Sequence, residues 1–151
     1  MKTALKSLSF AAAFALVSLA TPASANGIGG ASMKASSVAD DTCPIFSYGM
    51  LTNGCAATKS FIVALPYSGT AGYRTFTVQA QGATTSDVSC RIAATTNTQS
   101  GIYAGSWVSL PAAGSPQTIS LGSLFTDTQS SLYLLCNLAQ NAKVFSIQWD
   151  N

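Results

Sequence analysis

From Thr42 onward, apolar residues alternate with Ser, Thr and Gln, and clusters of turn-forming residues recur about every ten positions. Strict alternation sends successive side chains to opposite faces of an extended chain, so one face can be buried while the other stays wet. The pattern predicts eight strands, over residues 45–50, 61–65, 73–80, 88–94, 102–110, 117–121, 131–138 and 144–149. Over 73–80, Phe76 and Val78 point one way while Thr75, Thr77 and Gln79 point the other. Over 88–94 the apolar face is Val88, Cys90, Ile92 and Ala94, and over 131–138 it is Leu132, Leu134, Cys136 and Leu138. In the last strand Phe145, Ile147 and Trp149 are expected on one face, with Ser146 and Gln148 opposite. Segments 67–72, 82–87 and 111–116 concentrate Gly, Pro, Ser and Thr and read as turns. No segment carries a sustained helical period, and 121–130 has room for one helical turn begun by Ser123 or Asp127. The expected fold is therefore an all-β antiparallel sandwich, immunoglobulin-like or jelly-roll-like, of about seven or eight strands.

The first 41 residues follow other rules. Lys2 and Lys6 precede an apolar stretch over 10–20, then Pro22 and the small-residue site Ala23-Ser24-Ala25. That order is a secretory signal peptide over residues 1–25, and the apolar stretch is about half of the ~20 residues a membrane-spanning helix needs. No cysteine follows the small residues to take a lipid anchor, and the Ala-x-Ala ending points to a bacterial secreted or periplasmic protein. Residues 26–41 are rich in Gly, Ala and Ser and are expected as a flexible N-terminal arm. The sandwich domain is expected over residues 42–151.

Composition narrows the chemistry. The 151 residues hold seven Lys and Arg, five Asp, no Glu and no His. Lys2 and Lys6 leave with the signal, so the mature chain carries five basic and five acidic residues and no net charge. Nucleic-acid binding, which needs clustered cations, has no electrostatic support. Without His or Glu the chain lacks the commonest general base and transition-metal ligand and half its choice of carboxylates. Thirty-one of the 126 mature residues are Ser or Thr, which suit the wet face of a strand.

Cys43, Cys55, Cys90 and Cys136 all fall in the mature part, and an even count in an exported chain reads as two disulfides. Their spacings of 12, 35 and 46 contain no Cys-x-x-Cys, which disfavours a zinc site. Of the three possible pairings, Cys43 with Cys55 closes a short loop that contains the turn dipeptide Asn53-Gly54. Cys90 with Cys136 joins two mid-strand positions on inward faces, in the manner of the inter-sheet disulfide of immunoglobulin-like domains.

The pieces Cys43-Pro44, Ala64-Leu65-Pro66, Cys90-Arg91-Ile92, Cys136-Asn137-Leu138 and Trp149-Asp150 resemble a loose group of small exported β-proteins of unknown function, abundant in myxobacteria and similar organisms. The resemblance spans residues 42–151 and departs from the group where Ala64 replaces a Cys and Cys55 appears instead. It implies a small secreted β-domain and carries no activity or site.

Asp40-Asp41, the only acidic pair, reads as a solvated pair, because a calcium site needs six or more oxygens. There is no Gly-x-Ser-x-Gly elbow, and a serine nucleophile would depend on Lys34, Lys59 or Lys143, each among polar neighbours. No catalytic, cofactor or metal site is expected. Of the aromatic residues, Tyr73, Tyr103, Tyr133 and Trp107 fall opposite the core stripe or beside loops. Tyr73, Tyr103 and Trp107 are the candidates for stacking on a ligand, in the way Tyr and Trp present area to a sugar ring. The expected function is a non-enzymatic binding or surface-structural module, with a polysaccharide or cell-surface matrix as the candidate partner. No membrane insertion is expected once the signal is removed. The alternatives are a self-assembling pilin-like or coat-like subunit and, third, a hydrolase.

The protein recovered from the medium or periplasm is expected to begin at Asn26, and intact-mass spectrometry checks it. A mature mass that includes Lys2 would sink the signal-peptide reading.

Overall fold

A computed structural model describes residues 25–67, 70–96, 101–128 and 130–150. The signal-peptide expectation lies almost wholly outside these residues. The described chain forms twelve strands and two single-turn 3-10 segments, Gly30–Ser32 and Val38–Asp40. The strands are β1 (Ala25–Gly29), β2 (Lys34–Ala35), β3 (Pro44–Ser47), β4 (Met50–Asn53), β5 (Lys59–Leu65) and β6 (Gly72–Gln81). They continue with β7 (Val88–Thr95), β8 (Ile102–Ala104), β9 (Val108–Ser109), β10 (Gln117–Thr126), β11 (Leu132–Leu138) and β12 (Lys143–Asp150).

They build two six-stranded antiparallel sheets around one apolar core. The first sheet runs β10-β6-β12-β4-β3, with β1 sharing with β4 the edge of β12. The second runs β2-β5-β11-β7-β8, with β8 and β9 sharing one edge of β7. The inward stripes read from the alternation meet between the sheets. Phe76, Val78, Ala80, Ile147 and Trp149 come from the first, and Phe61, Val63, Ile92, Leu134 and Leu138 from the second.

The fold class is the one the alternation predicts, while the strand count is larger for identifiable reasons. Segment 45–50 is not one strand but the β3–β4 hairpin. Tyr48 and Gly49 turn it with φ of 49° and 80°, the positive pair that matches a two-residue hairpin to the strand twist. Segment 102–110 is split into β8 and β9. The remaining two strands, β1 and β2, lie in the stretch expected as a flexible arm. That stretch is laid onto both sheets: β1 pairs with β12 and β2 with β5, and Met33 between them is buried in the core. Its glycines serve close approach, since a Cβ on Gly30 would overlap the carbonyl of Val144. Because the segment passes from one sheet to the other, no single apolar period runs through it.

Two local expectations are corrected. Residues 121–126 continue β10 and form no helical turn, with a bulge between Ser120 and Ser123 at Gly122, whose φ is 73°. A bulge between Val144 and Ser146 changes the parity of β12, so Val144, Ile147 and Trp149 are buried while Phe145 is only half-buried.

Both expected disulfides are present, Cys43–Cys55 and Cys90–Cys136. The second is fully buried, but it does not join the two sheets. Cys90 and Cys136 stand directly opposite each other on the adjacent strands β7 and β11, within the second sheet.

The double substitution Cys90→Ala/Cys136→Ala is expected to destabilise the fold by about 4 kcal/mol, the entropic cost of releasing a 46-residue loop in the unfolded chain. Cys43→Ala/Cys55→Ala is expected to cost about 3 kcal/mol for its 12-residue loop. Urea unfolding of both variants checks the order, and a larger loss for the second would contradict it.

Candidate functional site

A sandwich of two sheets has no third layer, so whatever points outward from either sheet faces solvent. On the second sheet the register arranges those outward residues in rows across the strands. One row is polar: Ser60, Asn137, Ser89 and Ser109. The next is Lys34, Ile62, Leu135 and Arg91, from β2 through β5 and β11 to β7. The third is Ala64, Tyr133, Ala93 and Ala104, and beyond it Thr95 stands beside Ile102. Ala93 and Ala104 carry only methyl groups among taller neighbours. The result is an open groove of about 230 Å³ walled by Ile62, Leu135, Tyr133 and Ile102, with Arg91 and Thr95 at its borders. Ile102 is 73% exposed, so the patch is uncovered apolar surface.

Arg91 is held in an unusual setting. Its guanidinium lies 4.6 Å from the centre of the Trp107 ring. Its Nε is buried without a hydrogen-bond partner among the described residues. The strand break explains the stack. Ser109 and Val108 stand opposite Ser89 and Cys90, and Ala104 stands opposite Ala93. Gly105, Ser106 and Trp107 therefore span only Arg91 and Ile92, one residue more than the register needs, and the Gly105 amide donates to the Ile92 carbonyl at 2.9 Å. That local bulge brings the indole over Arg91.

The three residues expected to stack on a ligand do not come together. Trp107, 43% exposed, reaches the groove through Arg91. Tyr103, 52% exposed, stands opposite inward-pointing Ala94 and does not share the face of Ile102 and Ala104. Tyr73 lies on the first sheet, where its ring meets Phe125 edge-on at 5.6 Å. Sequence reasoning missed Ile62, Leu135, Ile102 and the role of Arg91. A signal existed: residues 61–65 and 132–136 are apolar at every position, and a sandwich strand apolar on both faces must show one of them to solvent.

Two further clefts have more polar side chains in their linings. One of about 280 Å³ lies among Gln81, Gly82, Ala83, Gly114, Gln140, Asn141 and Lys143, and contains no aromatic ring. Gln81 there donates to the Gly114 carbonyl at 2.6 Å. A smaller one, about 140 Å³, involves Asp150, whose carboxylate accepts from the amide and hydroxyl of Thr75, each at 2.7 Å. Of the sequence's acidic pair, Asp40 accepts from Lys59 Nζ at 2.5 Å. Asp87 is held below the usual carboxylate range by the hydroxyl and then the amide of Thr84, within the β6–β7 turn. No group of three or more Cys and Asp gathers in a metal-binding arrangement among the described residues.

No protein-family model and no curated protein matches the chain. Among solved structures, it is similar to the Podospora anserina GH26-CBM35 β-(1,4)-mannanase, with a TM-score of 0.53 at 10% identity over 84% of this chain. The chain spans 28% of that enzyme's length, and at this identity the likeness is one of fold. The C-terminal CBM6 of the laminarinase LamC from Zobellia galactanivorans gives a TM-score of 0.49 at 10% identity, over 85% of this chain and 100% of that one.

Trp107→Ala is expected to leave stability within about 1 kcal/mol of wild type, the size of a cation–π contact at a partly exposed site. Urea titration measures it. A loss above about 3 kcal/mol would show that the bulge depends on the indole.

Proposed function

We propose that the chain is an exported, non-catalytic polysaccharide-binding module whose binding face is the outside of the second sheet. The observation that carries the reading is the uncovered groove, with its apolar wall of Ile62, Leu135 and Tyr133 and the Arg91–Trp107 stack at its border. A sugar ring offers an apolar face and a polar perimeter. The first suits aliphatic and aromatic side chains, and the second suits Thr95 and the Ser/Asn row alongside. An open groove also admits a polymer in mid-chain, which a closed pocket would not. Among the described residues, the groove border places no carboxylate beside a nucleophile, which is consistent with binding without turnover. The mannanase of similar fold pairs its GH26 part with a CBM35 module, which supports the reading by analogy of fold alone. Two disulfides fit an oxidising compartment outside the cytoplasm.

Self-association is the second reading, favoured by the edge strand β3, where Ile45 and Phe46 are both more than half exposed beside fully exposed Tyr48. Assembly by donation of the N-terminal segment is disfavoured, because β1 and β2 already pair within their own chain.

Retention on a panel of insoluble polysaccharides tests the first reading. Tyr133→Ala and Trp107→Ala are expected to weaken binding about tenfold each, equivalent to ~1.4 kcal/mol, and Tyr73→Ala on the opposite sheet to leave it intact. No retention on any polymer, or a loss confined to Tyr73→Ala, would overturn it. Light scattering over a concentration series decides whether the β3 edge assembles.

A further inference from the structure

The mature chain is neutral as a whole, but its charges are not evenly spread. The outer face of the second sheet carries two cations, Lys34 and Arg91, at opposite ends of one cross-strand row. None of the five Asp belongs to that face. Asp40 is taken by Lys59, and Asp41 stands in the adjoining turn before β3. Asp87 lies in the β6–β7 turn, Asp127 in the connection after β10, and Asp150 on the first sheet. Neither Lys34 nor Arg91 has a carboxylate partner among the described residues. Between them lie only Ile62 and Leu135.

We infer that the groove, with the row that runs past Ile62 to Lys34 outside its lining, takes an acidic polysaccharide, its ring faces on Ile62, Leu135 and Tyr133 and its carboxylates on Arg91 and Lys34. The inference rests on the polysaccharide-binding reading and adds the class of sugar. The two cations are three strand spacings apart, about 14 Å. Such a separation, bridged by apolar side chains, suits a ligand whose charges are intermittent and whose intervening surface is apolar. A nucleic acid, with a charge on every residue, would meet two cations and an apolar strip where it needs a continuous basic surface. Arg91 is prepared for a carboxylate in a way Lys34 is not. Its stack on Trp107 restricts the guanidinium before any ligand arrives, and the planar fork offers paired donors that match two carboxylate oxygens.

Polygalacturonate and its fully methyl-esterified form share a backbone and differ in charge, so affinity electrophoresis of the mature protein against both isolates the carboxylates. Wild type is expected to bind the acid at least tenfold more tightly than the ester at low salt, with the difference shrinking at 0.5 M NaCl. Lys34→Gln and Arg91→Gln are each expected to reduce the preference several-fold. Arg91→Lys should recover part of it, and Lys143→Gln, outside the groove, should leave it unchanged. Lys34 is exposed on a two-residue edge strand, so its variant reports even if Arg91→Gln unfolds. Equal binding of acid and ester, or a preference that survives Lys34→Gln, would overturn the acidic-sugar inference and leave the polysaccharide reading standing. Retention of neither form, with none on the neutral polymers, would remove both. Binding to phosphatidylserine vesicles that depends on Lys34 and Arg91, without retention of polygalacturonate, would reassign the face to a membrane surface.

Discussion

The bond between Cys90 and Cys136 holds two directly opposed residues of β7 and β11, and the rest of the second sheet depends on the register it fixes. Side chains alternate with a period of two, so a slip of one residue would exchange the faces of a strand. β11 is paired along its full length on both sides, with β5 and β7. Its register sets which residues of three strands point into the core and which point out. With Cys136 opposite Cys90, Leu132, Leu134 and Leu138 face the first sheet, while Tyr133 and Leu135 face solvent. The same register lines up Leu135 with Arg91 on one side and Ile62 on the other. The groove is a consequence of how the core is locked, although none of its residues is in the core.

The two outer faces show what that consequence means. On the first sheet the outward residues include Thr75, Thr77, Gln79 and Gln148, and Asp150 is tied to Thr75 by two hydrogen bonds. The middle of that face is polar, and the exposed apolar residues of the first sheet lie at its margins, the Tyr73–Phe125 pair at one end of β6 and β10 and Ile45 and Phe46 on the edge strand β3. On the second sheet the corresponding positions of the central strands include Ile62, Leu135, Tyr133 and Ala93. Leaving apolar area in water forgoes about 25 cal/mol per Å² that burial would return. The arrangement that maximises stability would place polar side chains there. The central strands of the first sheet show that the chain has the polar residues to do so, and the contrast supports the proposal that places binding on the second.

Much of the fold was legible in the sequence because alternation over 73–80, 88–94 and 131–138 is long and regular, and each inward stripe predicted there is buried. The failures occur where parity breaks. Bulges in β10 and β12 add a residue that alternation cannot anticipate, which placed Phe145 on the wrong face. The Tyr48-Gly49 turn is hidden because Tyr rarely adopts a positive φ, so the hairpin read as one strand. The N-terminal stretch has no single period because it changes sheets at Met33. Gly29 and Gly30 read as flexibility, whereas the packed chain needs their missing side chains.

The site was less legible than the fold, and for a different reason. An aromatic residue on an outward face can be identified from alternation, but its partner depends on strand order, which alternation does not contain. Trp107 was visible as a candidate, whereas its stack on Arg91 required β9 to lie on β7 across a local bulge. Net charge is similarly blind, since the five acids and five bases of residues 26–151 sum to zero wherever they sit. Only the order β2-β5-β11-β7 sets Lys34 and Arg91 at the two ends of one row, on a face that bears no Asp. Neutrality over residues 26–151 argues against a continuous basic surface but leaves room for two cations placed apart, and composition cannot express the apolar strip between them on which the proposed acidic-sugar reading rests.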